Sequence, residues 1–180
     1  MWTMTTYHHG DLPAALLRAA AKSLEKHGPG AISLRDAARR AGVSHNAPYR
    51  HFPNREALLV ALAAEGFALL GERLRRLPAR EMGEAYVRFA LEQPQRFRLM
   101  FGGALPLAKY RELRTAAEAA HAALVEAFRE MPRPGLAAAA AWSLVHGLAH
   151  LLLDGHFAEI DRAAFVRDVL GIVRFAQRAA

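Results

Sequence analysis

The stretch Ser33-Leu-Arg-Asp-Ala-Ala-Arg-Arg-Ala-Gly-Val-Ser-His-Asn-Ala-Pro-Tyr-Arg-His-Phe-Pro-Asn54 decides the fold. Ser33, with Asp36 three residues on, has the form of an N-terminal cap opening a short helix from Leu34 to Ala41, which Gly42 ends. Ser44 reads as another cap, opening a third short helix from His45 to about His51, and Pro53-Asn54 breaks and caps the chain again. Two short helices joined by Gly42-Val43-Ser44 have the spacing of a helix-turn-helix, in which glycine supplies a left-handed turn. Ala37, Ala38 and Ala41 are the small residues that let such helices cross closely, and Val43 and Phe52 are the natural plugs against a first helix.

Working outward, that first helix starts at Asp11 and stops at His27 before Gly28-Pro29-Gly30, keeping Leu16, Leu17, Ala20 and Leu24 on one face. On the other side a long helix runs from Arg55 to about Leu77, with leucines at 58, 59, 62, 69, 70 and 74, and Pro78 ends it. Further helices are expected at about Glu81 to Glu92, Gln95 to Phe101, Leu107 to Glu130, Gly135 to Asp154 and Arg162 to Arg178, about nine in all. Composition agrees: 39 of 180 residues are alanine, while Val, Ile and Thr together number 15, so an all-α fold is expected and a sheet-based one is not. The division expected is a helix-turn-helix domain over 1–54 and a second helical domain over 55–180. With no cysteine, disulfides, thiolate nucleophiles and Cys-based zinc sites are excluded. The N-terminal MWTMTTYHHGD has neither a basic n-region nor an apolar h-region, so no signal peptide and a cytoplasmic location are expected.

The net charge of +7 is unevenly placed. Residues 1–55 carry eight Lys/Arg against three Asp/Glu, and the remainder is nearly neutral. The third helix carries His45, Asn46, Tyr49, Arg50 and His51, polar or basic groups suited to base edges near its N-terminus and to phosphates beyond it. Asparagine can pair bidentately with adenine, and histidine can donate or accept at several edges. Ser33 and Asn54 would add helix N-termini that attract anions, with Arg35 and Arg55 beside them. The candidate DNA-binding set is therefore Ser33, Arg35, Ser44, His45, Asn46, Tyr49, Arg50, His51 and Arg55; the bland reading is a solvated basic surface.

These residues resemble the TetR family of transcriptional regulators. Leu17-Arg-Ala-Ala, Leu24, His27-Gly28 and Ser33 through Ser44 match its first two helices and turn. Tyr49-Arg-His-Phe52 followed by Pro53-Asn-Arg-Glu-Ala-Leu-Leu59 matches its signature after the recognition helix, the likeness covering roughly residues 12 to 62. The resemblance implies a dimer that binds operator DNA through the N-terminal helices, with a small molecule in the larger helical domain altering DNA affinity. Carried over, it gives Tyr49, His51 and Arg55 phosphate contacts and has His45 and Asn46 read bases. Pro48 stands where the family usually has Leu; it removes a backbone donor and biases Ala47 away from α geometry, so the third helix is expected to begin irregularly or nearer Pro48.

From Gly135 to Leu153 no residue is charged, yet Ser143, His146 and His150 fall inside, which favours a protein-buried helix over a membrane span. The last helix has an apolar arc too wide for one small core, and the two together suggest a two-fold dimer through a four-helix bundle, with Gly147, Leu151, Phe165, Val169, Ile172 and Val173 at the interface. Intrachain packing is the alternative. The segment Ala141-Trp142 through His146-Gly147 resembles a TetR-like subgroup with a Trp…His-Gly signature, as does Pro94-Gln-Arg-Phe-Arg-Leu-Met-Phe-Gly102. Tyr86, Phe89, Phe97, Met100, Phe101, His121, Leu124, Trp142, Val145 and His146 are candidates for a pocket taking a small, largely apolar effector, and ordinary core is the competing reading.

His146 and His150, with His121, Glu118 or Asp154 as a third ligand, could form a metal site, and His121, His146 and His150 a helical metal-dependent enzyme, but packed histidines are favoured and no metal, cofactor or catalytic residue is assigned. The expected function is a repressor that binds a near-palindromic operator as a homodimer and is released by a small effector. A non-specific architectural DNA-binding protein is a second alternative.

Overall fold

Helix-favouring composition yields eight α-helices and no strand among the described residues of the computed structural model, which are 12–157 and 160–178, with side chains as far as Ile172. They are α1 (Leu12–His27), α2 (Leu34–Arg40), α3 (Arg55–Arg75), α4 (Ala79–Glu92), α5 (Pro94–Phe101), α6 (Arg111–Ala127), α7 (Pro134–Leu153) and α8 (Arg162–Arg178). Asp11 lies outside the described residues. Ser33 caps α2 by accepting the Asp36 N–H at 3.1 Å, and Asn54 caps α3 by accepting the Ala57 N–H at 2.9 Å. Gly42 takes φ +71° at the end of α2, the left-handed conformation expected of it.

The third helix begins near Pro48, as that proline implied, but is not an α-helix. Instead of an α-helix from His45, the chain makes one 3₁₀ turn, Ala47–Arg50. Bonds close three residues back: Ala47 N–H to the Ser44 carbonyl at 3.0 Å, Tyr49 to Asn46 at 3.3 Å and His51 to Pro48 at 2.9 Å. Pro48 has no N–H to continue an α ladder, and Ser44 therefore caps no α-helix. Pro48 is itself fully buried, so it supplies the apolar anchor of this segment at the expense of α geometry. A second correction concerns the span from Leu107 to Glu130, expected as one helix. Tyr110, in extended backbone at φ −120° and ψ 104°, separates a 3₁₀ turn (Leu107–Lys109) from α6, and the far end closes at Phe128. Tyr110 is half-buried against the core, which holds it out of helical register.

α3 is the spine. Leu58, Leu62 and Ala63 are wholly buried and Leu70 and Leu74 nearly so, because α5 and α6 cover its flanks and α1 crosses its start. Two glycines allow these close approaches: a Cβ at Gly66 would fall 2.6 Å from Met100 Sδ of α5, and one at Gly71 would lie 3.1 Å from the Ala120 backbone of α6. One continuous apolar core runs from Leu16 of α1 to Leu170 of α8.

The N-terminal helices are also tied to the rest by a polar contact. Both oxygens of Glu25, on α1, accept backbone N–H groups from the first turn of α5, Gln95 at 3.2 Å and Arg96 at 2.9 Å. A carboxylate there satisfies orphan donors and meets the positive end of the helix dipole. Arg96 in turn reaches Glu65 of α3 at 2.7 Å from a buried position. Glu25→Ala should cost about 1 kcal/mol, the usual worth of a helix N-cap. A thermal melt should fall by roughly 2–4 °C; an unchanged melting temperature would mean that the cap contributes nothing.

Candidate DNA-binding surface and ligand cavity

Inward anchors hold the helix-turn-helix. Ala37, Ala38, Pro48 and Phe52 are buried and Val43 is half-buried, while Ser33, Arg35, Ser44, His45, Asn46, Tyr49, Arg50, His51 and Arg55 are all exposed. Ser44, Asn46, Arg50 and His51 border one surface hollow of about 670 Å³ beside Leu12 at the start of α1. Charge is distributed selectively around it. Asp36 binds Arg39 at 2.6 Å and Arg40 at 2.5 Å, and these hydrogen bonds, Arg40's first, hold its carboxyl below the usual carboxylate range. Two of the basic residues are thus neutralised beside the turn.

Arg55, expected at a phosphate, also has partners within the chain. Its Nε donates to the Ile32 carbonyl at 2.9 Å and its Nη2 to the Pro29 carbonyl at 2.5 Å. The guanidinium fastens the loop between α1 and α2 to the start of α3, so two of its donors are committed within the chain. Ser33 likewise spends its side-chain oxygen on the cap.

In the larger helical part, a cavity of about 260 Å³ lies between α3, α4, α5, α6 and α7. Of the residues expected there, Tyr86, Met100, Phe101, His121, Leu124 and Trp142 line it. Four do not. Phe89 and Phe97 are 1% and 0% exposed and belong to the solid core: the Phe97 ring is enclosed by Tyr86, Phe101, His146 and His150, with centroids 4.8–5.8 Å away. Val145 lines a neighbouring cavity of about 550 Å³, and His146 sits behind Tyr86. The residues missed are Phe67, Leu70 and Leu74 of α3, Gly103 and the segment Leu105 to Leu107, and Ala117 and Ala120 of α6. The positions 67, 70 and 74 share one helical face, a signal the sequence carried but one that core packing explains equally well.

The polar groups beside the cavity satisfy one another. Trp142 Nε1–H donates to Tyr86 Oη at 3.0 Å, and Tyr86 Oη lies 2.8 Å from His146 Nδ1. Burial drives the Tyr86 hydroxyl well above its usual range, so it stays protonated. Burial, and then the charge of His150, lower His146, favouring neutral imidazole. With the indole N–H donating, the phenol proton goes to Nδ1. The Trp142 and His146 side chains thus serve this chain of hydrogen bonds, whereas Gly147 is exposed with open space around it.

The exposed face of α7 carries Leu136, Ala140, Ser143, Gly147 and Leu151, spaced four, three, four and four residues apart, a continuous helical stripe. Leu136 is 56% and Leu151 42% exposed. α7 is the one described helix long and apolar enough to cross a membrane, yet its other face, with Ala138, Val145, Ala149 and Leu152, is buried in the core. On α8, Val166 and Leu170 are buried, Phe165 and Val169 half-buried and Ile172 70% exposed; Val173 lies outside the described side chains.

Among the described residues no three metal-ligating side chains converge. His146 and His150 pack ring against ring at 4.6 Å, His121 lies against Trp142, Asp154 pairs with Arg98 and Glu118 faces Arg114.

An exposed polar turn on a buried two-helix scaffold, fastened to a helical bundle that holds an apolar cavity, defines a helix-turn-helix DNA-binding regulator. The chain belongs to the TetR family of bacterial transcriptional regulators. A family model described as "Bacterial regulatory proteins, tetR family" matches residues 16–62, and one described as "Tetracyclin repressor-like, C-terminal domain" matches residues 79–172. The HTH-type transcriptional repressor Rv3405c of Mycobacterium tuberculosis (strain ATCC 25618 / H37Rv) is 34% identical over 83 residues, 46% of this chain and 42% of that protein. The match thus spans under half the length of that curated relative.

A solved structure of a protein with unknown function from Rhodococcus sp. RHA1 is 33% identical, with a TM-score of 0.81 over 94% of this chain and 96% of that one. The TetR family regulator PfmR from Thermus thermophilus shares the fold at 22% identity, with a TM-score of 0.60 over 88% of this chain and 96% of its own. Both family models and the curated relative describe transcriptional regulators, not enzymes.

Proposed function

We propose that this protein is a cytoplasmic repressor that binds a near-palindromic operator as a homodimer and is released by a small, largely apolar molecule. Residues 1–54 are its DNA-binding half and residues 55–180 its sensing and dimerising half. The observation that carries the reading is the outward display of His45, Asn46, Tyr49, Arg50 and His51 on a turn whose Pro48 and Phe52 are locked into the core. His45 and Asn46 read bases; Tyr49, Arg50 and His51 hold phosphates, with Arg35 and Ser44 beside them. Arg55 acts chiefly as a positioning residue. The apolar stripe of α7, with Ile172 of α8, supports a two-fold interface, the exposed leucines being its natural anchors.

Effector release follows from the packing. α5 borders the cavity through Met100 and Phe101 and receives the Glu25 cap from α1 on its first turn. A ligand that shifts α5 therefore acts on the helix that supports the turn. Its bound state favours a dimer whose two reading heads no longer stand one helical turn, about 34–36 Å, apart on DNA.

Arg50→Ala should weaken binding to every sequence and reduce the slope of log affinity against log salt by about one. Asn46→Ala should instead relax preference at one or two base pairs. Titration of labelled duplexes at several salt concentrations separates them. An Asn46→Ala protein with an unchanged preferred sequence would remove Asn46 from base reading.

A further inference from the structure

Resting on the effector reading above, we infer that the 260 Å³ cavity takes an uncharged, two-ring aromatic molecule with a single hydrogen-bonding group, read by His121. Size comes first. Benzene fills an engineered cavity of about 150 Å³, so a space of 260 Å³ suits about ten or eleven non-hydrogen atoms. Polarity follows from the walls, where Phe101 packs edge-on against Phe67 at 5.1 Å between centroids and tilted against Trp142 at 6.2 Å, an aromatic row among aliphatic side chains.

Charge is decided by what the lining lacks. Among the described residues bordering this cavity there is no Lys, Arg, Asp or Glu. A buried carboxylate or ammonium would find no partner to offset its desolvation. The hydroxyl of Tyr86 has no proton to offer a ligand, because it donates to His146 while accepting from Trp142. His121, on α6 at the solvent-exposed rim of the cavity with its ring 5.7 Å from Trp142, is the remaining side chain on the lining with a hydrogen-bond donor to offer. Leu74, Tyr86 and Leu124 border both this cavity and the 550 Å³ one, so they are the partition that limits ligand length.

The test uses the full chain carrying Trp2→Phe, so that indole fluorescence reports on Trp142, at pH 8 where imidazole is ordinarily neutral. The probes are 2-naphthol, naphthalene, 2-naphthoate and the three-ring 9-phenanthrol. 2-Naphthol should quench the signal saturably, and 2-naphthoate should bind at least about tenfold more weakly. His121→Ala should lower affinity for 2-naphthol by about tenfold, the worth of one hydrogen bond, and leave naphthalene unchanged. Leu124→Ala, by thinning the partition, should raise affinity for 9-phenanthrol by about tenfold, a gain that no misfolded variant could give.

Equal binding of naphthol and naphthoate, or no binding of any probe by protein that still binds DNA, would overturn the assignment. So would an equal loss of naphthol and naphthalene in His121→Ala. Operator release is scored in the same samples. Binding without release leaves this ligand class standing and removes the effector reading instead.

Discussion

Gly147→Arg should turn the protein into a folded monomer that no longer holds its operator. Gly147 lies midway along α7, and a Cβ there meets nothing among the described residues. The isolated fold should tolerate the change, and losing a mid-helix glycine even favours the helix by about 0.5–1 kcal/mol. A two-fold interface places the same stripe on both sides, so one substitution brings two guanidinium groups into a seam whose α7 stripe carries no acidic residue. Separating two linked DNA-reading heads forfeits their mutual effective concentration, about 10²–10⁴ in affinity. Sedimentation, circular dichroism and operator titration together check the result: monomeric mass, native helicity and lost binding. A dimeric, operator-binding Gly147→Arg protein would place the interface elsewhere.

Phe97→Ala should be the most destabilising single truncation near the cavity. Its side chain is 0% exposed and enclosed by four rings, so removing it creates a void instead of enlarging a ligand space. Truncating a fully buried phenylalanine costs about 3–5 kcal/mol. For a chain of this size that lowers the melting temperature by roughly 6–20 °C, at 2–4 °C per kcal/mol. Phe101→Ala is the comparison. Phe101 is half-buried and borders the cavity, so its loss should cost less stability and should weaken ligand binding. A Phe97→Ala protein more stable than Phe101→Ala would reverse the assignment of core and cavity wall.

What could be read in advance divides by the range of the interactions involved. Ser33 and Asn54 were legible as caps, and Gly42 as a left-handed turn, because each acts on backbone within three residues. Pro48 was legible as a disturbance, but its burial as an anchor depends on what packs around it. Glu25 lies 70 residues from the backbone it caps, and no local pattern announces such a contact. Arg55 showed only as a cation near a helix start, since the carbonyls it binds belong to a loop more than 20 residues away.

The cavity was half legible for a chemical reason. Its wall and the solid core are built from the same apolar side chains, so Leu70 and Leu74 read only as the apolar face of a helix while Phe89 and Phe97 passed as wall. The stripe on α7 was more readable, because an uncharged helix with an apolar face left over must be covered by something.

The most direct measurement is selection of bound duplexes from a random DNA pool by the full-length protein at physiological salt. A recognition turn presented by a two-fold dimer predicts enrichment of an inverted repeat whose half-sites lie one helical turn apart, with the sequence preference altered in Asn46→Ala. Retention of DNA without enrichment of any motif would contradict the account, leaving a basic surface that binds the duplex without reading it.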